Sequence, residues 1–196
     1  MKSFSLNSFF SKFPNIDLGN IRLRDLSLRD AENYYKLFAD PKVSEHLSDE
    51  DVPKSIAAAM EDVKFWGSVF YRKQGVFWAI GNEKDDQLIG TIGFNSWNFH
   101  NKRGEISYDL MSEYWGQGIM TKVVTNVMVF AFSKMDMYRI EARTMEGNER
   151  SQKLLRKIGF KEEGILKGYR IINGDPKDIA LFSLIRPDFS GNLLSK

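Results

Sequence analysis

The stretch Tyr114-Trp115-Gly116-Gln117-Gly118-Ile119-Met120-Thr121 decides the fold, because two glycines stand where an extended segment gives way to a long apolar helix pattern. Glycine accepts positive φ and allows close approach to the backbone, so successive N–H groups at a helix start can converge on phosphate oxygens. A dinucleotide fingerprint would need a third glycine at Thr121, and a P-loop would need Gly-Lys-Ser/Thr, so neither NAD nor ATP is indicated. The sequence therefore predicts either a pyrophosphate-binding turn or a tight turn packed under Trp115.

The segments around this turn predict a mixed α/β sheet. Behind the turn, apolar residues recur at helical spacing from Ile119 to Met135. In chain order the other predicted elements are a strand over 21–26, helices beginning near Ser27 and at Pro53, strands over 76–80, 88–94, 105–111 and 138–144, a helix from Asn148 to Gly159, and strands over 165–172 and 178–185 joined by a turn at 173–176. Tyr71, Phe77 and Trp78 are interpreted as core residues. Such alternation of strands and helices is typical of a mixed α/β sheet.

A second informative segment is Asn148-Glu149-Arg150-Ser151, which precedes an apolar helix pattern. Asn148 is a good N-cap, and Ser151 falls in the first turn, where it can serve as a second hydrogen-bond acceptor. Taken alone, this segment indicates only a capped helix.

Together the two segments resemble the GCN5-related N-acetyltransferase (GNAT) family, in its RimJ/RimL-type branch, which acetylates protein N-termini. The matching residues are 114–119 with the helix behind them, then Asn148-x-x-Ser151-x-x-Leu154-Leu155-x-Lys157-Ile158-Gly159-Phe160-x-x-Glu163-Gly164, and Asp178 in the terminal hairpin. The similarity extends from Ile21 to Pro187. It implies an α/β (α+β) fold of GNAT type, with a mixed, mostly antiparallel central sheet, helices on both faces and splayed central strands.

The resemblance also implies acetyl-CoA as co-substrate and no metal. The residues that it assigns to cofactor binding are Leu110, Met111, Trp115, Gly116, Gln117, Gly118, Ile119, Met120, Thr121 and Asn148. Backbone N–H groups of 116–121 would hold the pyrophosphate. Leu110 and Met111 would bind the pantetheine as a short β-like partner and supply a backbone N–H to the oxyanion, and Asn148 would contact the same arm.

Two side chains are the candidates for catalysis. Ser151 would give a hydrogen bond or a proton to the departing CoA thiolate, as the resemblance implies for this branch. Glu105, at the start of the strand that leads to Leu110, is the candidate base acting through a water molecule. Asp109 lies on the same face by period two, closer to the cofactor, and is the weaker candidate. An α-amine needs little help, because about a seventh of it is neutral at pH 7, against about one in 2,500 for a lysine side chain.

Composition excludes several other classes of protein. The net charge of +2 comes from scattered charges with no basic stripe, so nucleic acid is not expected as a partner. The absence of Cys excludes disulfides, thiolate zinc sites and iron–sulfur clusters, and it suits a reducing compartment such as the cytoplasm. The two histidines, His46 and His100, lie far apart, which argues against a metal site. The apolar run from Val123 to Ser133 is too short to span a membrane.

The chain is expected to comprise an N-terminal amphipathic arm (1–20), one acetyltransferase domain (21–187) and a C-terminal tail (188–196). Leu6, Phe9, Phe10 and Phe13 have helical spacing without a cleavage site, which favours a docked arm over a signal peptide. Two other functions stay open. One is acetylation of a polyamine or another small amine, for which an acidic acceptor cleft would be the sign, and the other is a non-catalytic CoA-binding module. A monomer and a homodimer are equally compatible with the sequence.

Overall fold

The computed structural model describes residues 5–190. Within this range the helices are α1 (Leu6–Phe9), α2 (Ala31–Ala39), α3 (Pro41–Ser44), α4 (Ile56–Ser68), α5 (Ile119–Lys134) and α6 (Glu149–Ile158). The strands are β1 (Ile16–Asp17), β2 (Ile21–Asp25), β3 (Phe77–Asn82), β4 (Leu88–Asn98), β5 (Arg103–Leu110), β6 (Arg139–Met145), β7 (Lys161–Ile172) and β8 (Asp175–Ile185). None of the helices in residues 5–190 is both long and apolar enough to cross a bilayer.

The strands form one mixed sheet in the order β1-β2-β3-β4-β5-β6-β8-β7. Among the described pairings, β5 and β6 are parallel, and their register runs only from Arg103 opposite Arg139 to Glu105 opposite Glu141. β6 then continues to Met145 with β8 as its antiparallel partner. The predicted fold class, a mostly antiparallel sheet whose central pairing is short, is confirmed.

Contacts divide the chain into two compact units. The N-unit consists of Ser5–Phe94 with Tyr108–Ile119, and the C-unit consists of Asn95–Ser107 with the chain from Met120 onward. β4 and β5 each contribute residues to both units.

In the N-unit, a buried ion pair fixes the start of α2 to β2. Arg24 donates to both carboxylate oxygens of Asp30 at 2.9 and 2.7 Å, and the two side chains are only 7% and 3% exposed. Asp30 also accepts from the Ser27 backbone N–H at 2.9 Å. Asp30, which lies in the first helical turn after Ser27, is thus also the counter-ion of the buried Arg24 guanidinium.

The N-terminal segment docks on the N-unit through its aromatic residues. Phe9, Phe10 and Phe13 lie against Phe70 with ring centroids 6.1, 5.1 and 5.1 Å away. The indole of Trp78, which is fully buried, donates to the Pro14 carbonyl oxygen at 2.7 Å.

In the C-unit, the apolar stripe predicted for the long helix is buried. Every residue of the stripe beyond Ile119 is at most 1% exposed: Val123, Val124, Val127, Met128, Ala131 and Met135. Gly159 ends α6 with φ of 108°, the left-handed cap expected there. The terminal hairpin is tighter than predicted, because Ile172 pairs with Asp175 and leaves only Asn173 and Gly174 in the turn, both at positive φ.

Two local predictions in the N-unit were wrong, and one short helix was not predicted. α4 begins at Ile56 rather than Pro53, because the Ser55 hydroxyl caps it by accepting from the Ala58 N–H at 3.1 Å. Asp40 ends α2. Its side chain also caps the short helix α3, whose first residue is Pro41. Tyr71 is 65% exposed, and its hydroxyl donates to Asp25 instead of entering the core.

Candidate active site

The glycine turn lies in the N-unit and leads into α5. Gly116 and Gly118 have φ of +75° and +76°, and a Cβ added to either would meet nothing within 4 Å. The first N–H groups of an α-helix have no partner within the helix and carry the positive end of its dipole. The side chain of Ile119 is buried, so this residue can offer only its backbone to a ligand. Open space over two positive-φ glycines at a helix start fits an anionic group such as a pyrophosphate.

The turn is anchored to the end of β5. The indole of Trp115 donates to the Leu110 carbonyl oxygen at 2.8 Å, and the Gln117 side chain donates to the Glu113 carbonyl oxygen at 3.0 Å. Trp115, which the resemblance assigned to the cofactor, is therefore also an internal brace of the turn. The Met111 N–H donates to the Ile89 carbonyl oxygen at 2.9 Å, so it is already engaged and is a poor choice as oxyanion donor.

Gly90 in β4 lets the end of β5 approach closely, a feature that the sequence analysis missed. A Cβ at this position would lie 2.4 Å from the Asp109 carbonyl oxygen and 3.1 Å from the Leu110 Cα. Neither backbone atom could move aside without shifting the strand. The glycine itself was visible in the sequence, but its strand partner follows only from the fold.

The carboxyl of Asp109, also in the N-unit, lies in an acidic environment. Burial, with the negative charge of Asp51 as the next cause, raises its pKa from 3.8 to about 7, and the Thr91 hydroxyl opposes part of that rise. Burial and Asp51 also raise the pKa of Asp62. The pKa of the Tyr34 phenol is raised by burial and then by Asp62, Asp109 and Asp51. These five residues form what we call the Asp109 cluster.

In the C-unit, Glu105 is held by an arginine. The Arg143 guanidinium donates to the Glu105 carboxylate and lies 3.5 Å from that of Glu141. The ring of Tyr169, in β7, stacks over the same guanidinium with its centroid 5.6 Å from Cζ. The predicted base is therefore part of an ion-pair network that includes the terminal hairpin.

Asn148 and Ser151, likewise in the C-unit, adopt the capping arrangement. The Asn148 side-chain oxygen accepts from the Ser151 backbone N–H at 3.1 Å, which leaves the Ser151 hydroxyl outside the cap bond. Gln152 fixes this helix start, because its buried amide donates to the Met145 and Glu146 carbonyl oxygens at 3.3 and 2.6 Å. Gln152 is a positioning residue that helical spacing alone did not single out.

The remaining two predicted cofactor residues, Met120 and Thr121, lie in the first turn of α5 and are half-buried. The Thr121 carbonyl oxygen accepts from the Thr125 hydroxyl at 2.7 Å. Among residues 5–190, His, Asp and Glu form no group of three or more that could hold a metal ion.

The model of the acetyltransferase (GNAT) domain family matches residues 20–161. The chain belongs to the GNAT family. The uncharacterized N-acetyltransferase YoaA of Bacillus subtilis is 32% identical over 175 residues, which are 89% of this chain and 98% of YoaA. The structure of RimL, a ribosomal L7/L12 alpha-N-protein acetyltransferase in complex with coenzyme A, matches with a TM-score of 0.80 at 22% identity and covers 88% of this chain and 98% of RimL.

This membership confirms the predicted enzyme class, an acetyl-CoA-dependent N-acetyltransferase. Relatives in Escherichia coli carry names with different acceptors. The [ribosomal protein uS5]-alanine N-acetyltransferase is 28% identical over 61% of this chain and 63% of its own length. The spermidine N(1)-acetyltransferase is 28% identical over 47% of this chain and 50% of its own length. The first of these names agrees with the RimJ/RimL-type resemblance.

Proposed function

We propose that this protein transfers the acetyl group of acetyl-CoA to the N-terminal α-amine of a protein, such as a ribosomal protein. The observation that carries the donor half of this proposal is the open space over Gly116 and Gly118 at the start of α5. The backbone of 116–121 would bind the pyrophosphate, and Trp115 would keep the turn on the strand end at Leu110. The residues present fit the donor.

The transfer itself needs no covalent enzyme intermediate. A neutral amine attacks the thioester carbonyl carbon, the C–S bond breaks, and the CoA thiolate leaves with a proton. The hydroxyl of Ser151 would supply a hydrogen bond to that thiolate, as the resemblance implies for this branch. The resemblance assigns Asn148, and separately Leu110 and Met111, to contacts with the pantetheine arm.

Two arguments support an α-amine as acceptor. The uS5-alanine acetyltransferase among the relatives acts, by its name, on a protein alanine. Deprotonating an α-amine at pH 7 costs about 1 kcal/mol, against about 4.6 kcal/mol for a lysine side chain, so a single carboxylate suffices. A ribosomal-protein acceptor also implies a cytoplasmic reaction.

A second acceptor class, a polyamine, is favoured by the Asp109 cluster. Asp51, Asp62 and Asp109 concentrate negative charge in the N-unit, and acidic groups attract polycations. An α-amine is also mostly an ammonium ion at pH 7, so the cluster suits either substrate at the point of entry. The net charge of +2 gives a polyamine little long-range attraction, which leaves the α-amine as the first choice.

Competition kinetics test the proposal. CoA thiol release would be measured with acetyl-CoA and a lysine-free peptide that begins with Ala, with the same peptide carrying an acetylated N-terminus as the matched control, and with spermidine and free lysine. The proposal predicts the largest kcat/KM for the free peptide and no turnover of the blocked one. A larger kcat/KM for spermidine would assign the polyamine function. CoA binding without turnover of any amine would indicate a binding module.

A further inference from the structure

Asp109 lies at the end of β5 in the N-unit, directly before the residues proposed to bind acetyl-CoA. It directly precedes Leu110, whose carbonyl oxygen receives the Trp115 indole, and its own carbonyl oxygen is held close to Gly90. A reacting amine must reach the acetyl group beside this strand end, because the resemblance puts the pantetheine along Leu110 and Met111. The Asp109 side chain is thus the titratable group nearest in sequence to that segment.

The Asp109 carboxyl lies deep in the protein. The residue keeps partial solvent exposure, while burial is the largest cause of its raised pKa. Two side chains act on it directly, Asp51 of the loop before α4 and Thr91 of β4, and its own charge acts on the Tyr34 phenol of α2. Asp62 of α4 belongs to the same cluster through Asp51 and Tyr34. A carboxyl in such surroundings exchanges its proton near neutral pH, which is the range in which a general base works best.

An unsatisfied hydroxyl lies at the same place. Thr91 is fully buried, and among residues 5–190 its Oγ1 has no partner at full hydrogen-bond geometry. The hydroxyl is nevertheless close enough to Asp109 to lower the pKa of that carboxyl. Buried hydroxyls are normally hydrogen-bonded, so the Thr91 hydroxyl still has a hydrogen bond to offer beside this carboxyl.

Glu105 has the opposite surroundings. Its carboxylate is occupied by the Arg143 guanidinium, which is in turn covered by Tyr169. A carboxylate in that ion pair would have to leave its partner to accept a proton from an amine. Asp109 would not, because the side chains that shift its pKa are the Asp51 carboxyl and the Thr91 hydroxyl.

We propose that Asp109 accepts the proton of the acceptor amine, a role that rests on the acetyl transfer proposed above. The ammonium form of the acceptor gives one N–H proton to the Asp109 carboxylate, directly or through one water, and becomes a neutral amine. That amine forms the N–C bond to the acetyl carbonyl carbon as the C–S bond breaks. The second nitrogen proton goes to the CoA thiolate, and Asp109 then releases its proton to solvent. Asp51 acts through Asp109 as a positioning residue, because its negative charge sets the pH at which the Asp109 carboxyl takes up a proton.

The pH profile of kcat/KM tests this role with the free Ala peptide as acceptor. The pKa of the free peptide amine is the same for every variant, so any part of the profile that moves with a substitution belongs to the enzyme. The Asp51→Asn variant should shift the midpoint of the acidic limb to lower pH, because it removes a neighbouring negative charge. The Asp109→Asn variant should lower kcat/KM by about 10²-fold. The control is Asp49→Asn, a change of the same charge on a side chain that is 71% exposed, and it should leave the profile in place.

Protection by CoA against thermal unfolding shows whether each variant is folded and still binds the donor. Full activity of a folded Asp109→Asn protein, or an acidic limb that does not move in Asp51→Asn, would overturn the role of Asp109 and leave the acetyl transfer standing. A Glu105→Gln variant that alone loses activity would return the role of base to Glu105. A wild-type protein that turns over neither peptide nor spermidine would overturn both proposals.

Discussion

Replacing Asp109 by Asn should change how the stability of the protein depends on pH, independently of any activity. Burial and Asp51 raise the pKa of this carboxyl from 3.8 to about 7. A carboxyl with a higher pKa in the folded state binds its proton more tightly when folded. Its contribution to stability is therefore fully present below pH 3.8 and is lost as the pH rises through about 7.

The size of the effect follows from the two pKa values. A gap of about three pH units corresponds to about 4 kcal/mol over the whole range, and about 2.5 kcal/mol of it falls between pH 5 and pH 8.5. Ionisation of Asp109 lowers the free energy of unfolding of the wild-type protein by this amount between pH 5 and pH 8.5. The Asn variant has no carboxyl at this position to ionise. For a chain of this length the loss corresponds to roughly 5–10 °C in Tm.

Urea unfolding of the wild-type protein and the Asp109→Asn variant at pH 5 and pH 8.5 measures the difference directly. From pH 5 to pH 8.5, the free energy of unfolding of the variant should rise by about 2.5 kcal/mol relative to that of the wild type. Asp49→Asn serves as the control, because its side chain is 71% exposed and should give curves parallel to the wild type. Parallel curves for Asp109→Asn as well would show that the carboxyl is not held protonated by the fold.

Three further predictions concern the donor site, the leaving group and the core. Gly118→Val should abolish protection by acetyl-CoA, about 2.7 kcal/mol at 100 times Kd, because a β-branched residue resists φ of +76°; unchanged protection in thermal shift assays would refute the pyrophosphate assignment. Ser151→Ala should lower kcat about 10²-fold with little change in the KM for acetyl-CoA, because the hydrogen bond to the thiolate forms only as it leaves; a lower Tm with normal kcat would indicate a structural role only. Asp30→Ala should cost about 3 kcal/mol in chemical unfolding, the lower end for breaking a buried pair, because Arg24 loses its bidentate partner and keeps Asp86; a loss below about 1 kcal/mol would contradict the buried ion pair.

Features set by local periodicity could be predicted from the sequence. The stripe from Val123 to Met135 depends only on spacing within one helix, and it is buried as expected. The positive φ of Gly116 and Gly118 likewise follows from residues adjacent in the chain. The ends of helices are harder to predict. Pro53 and Ser55 both suit the start of α4, and the hydrogen bond from the Ala58 N–H to the Ser55 hydroxyl places the start after Ser55.

The environment of each candidate base could not be predicted in this way. Period two places Glu105 and Asp109 on one face of a strand but says nothing about what faces them. Asp51 and Thr91 reach Asp109 from a loop and a neighbouring strand, and Arg143 reaches Glu105 because β5 and β6 are parallel over a few residues. Strand register and loop placement, which are tertiary properties, therefore decide which carboxyl is paired and which is poised near neutral pH.

The docking of the N-terminal segment has a consequence for the time course of synthesis. Pro14 leaves the ribosome 64 residues ahead of Trp78, whose indole its carbonyl oxygen will receive. At about 5–20 residues per second this interval is about 3 to 13 s. During it, Phe9, Phe10 and Phe13 have neither Phe70 nor Trp78 to cover them. The nascent chain thus displays an aromatic surface that a chaperone can bind, until translation reaches β3 and the segment closes onto its own fold.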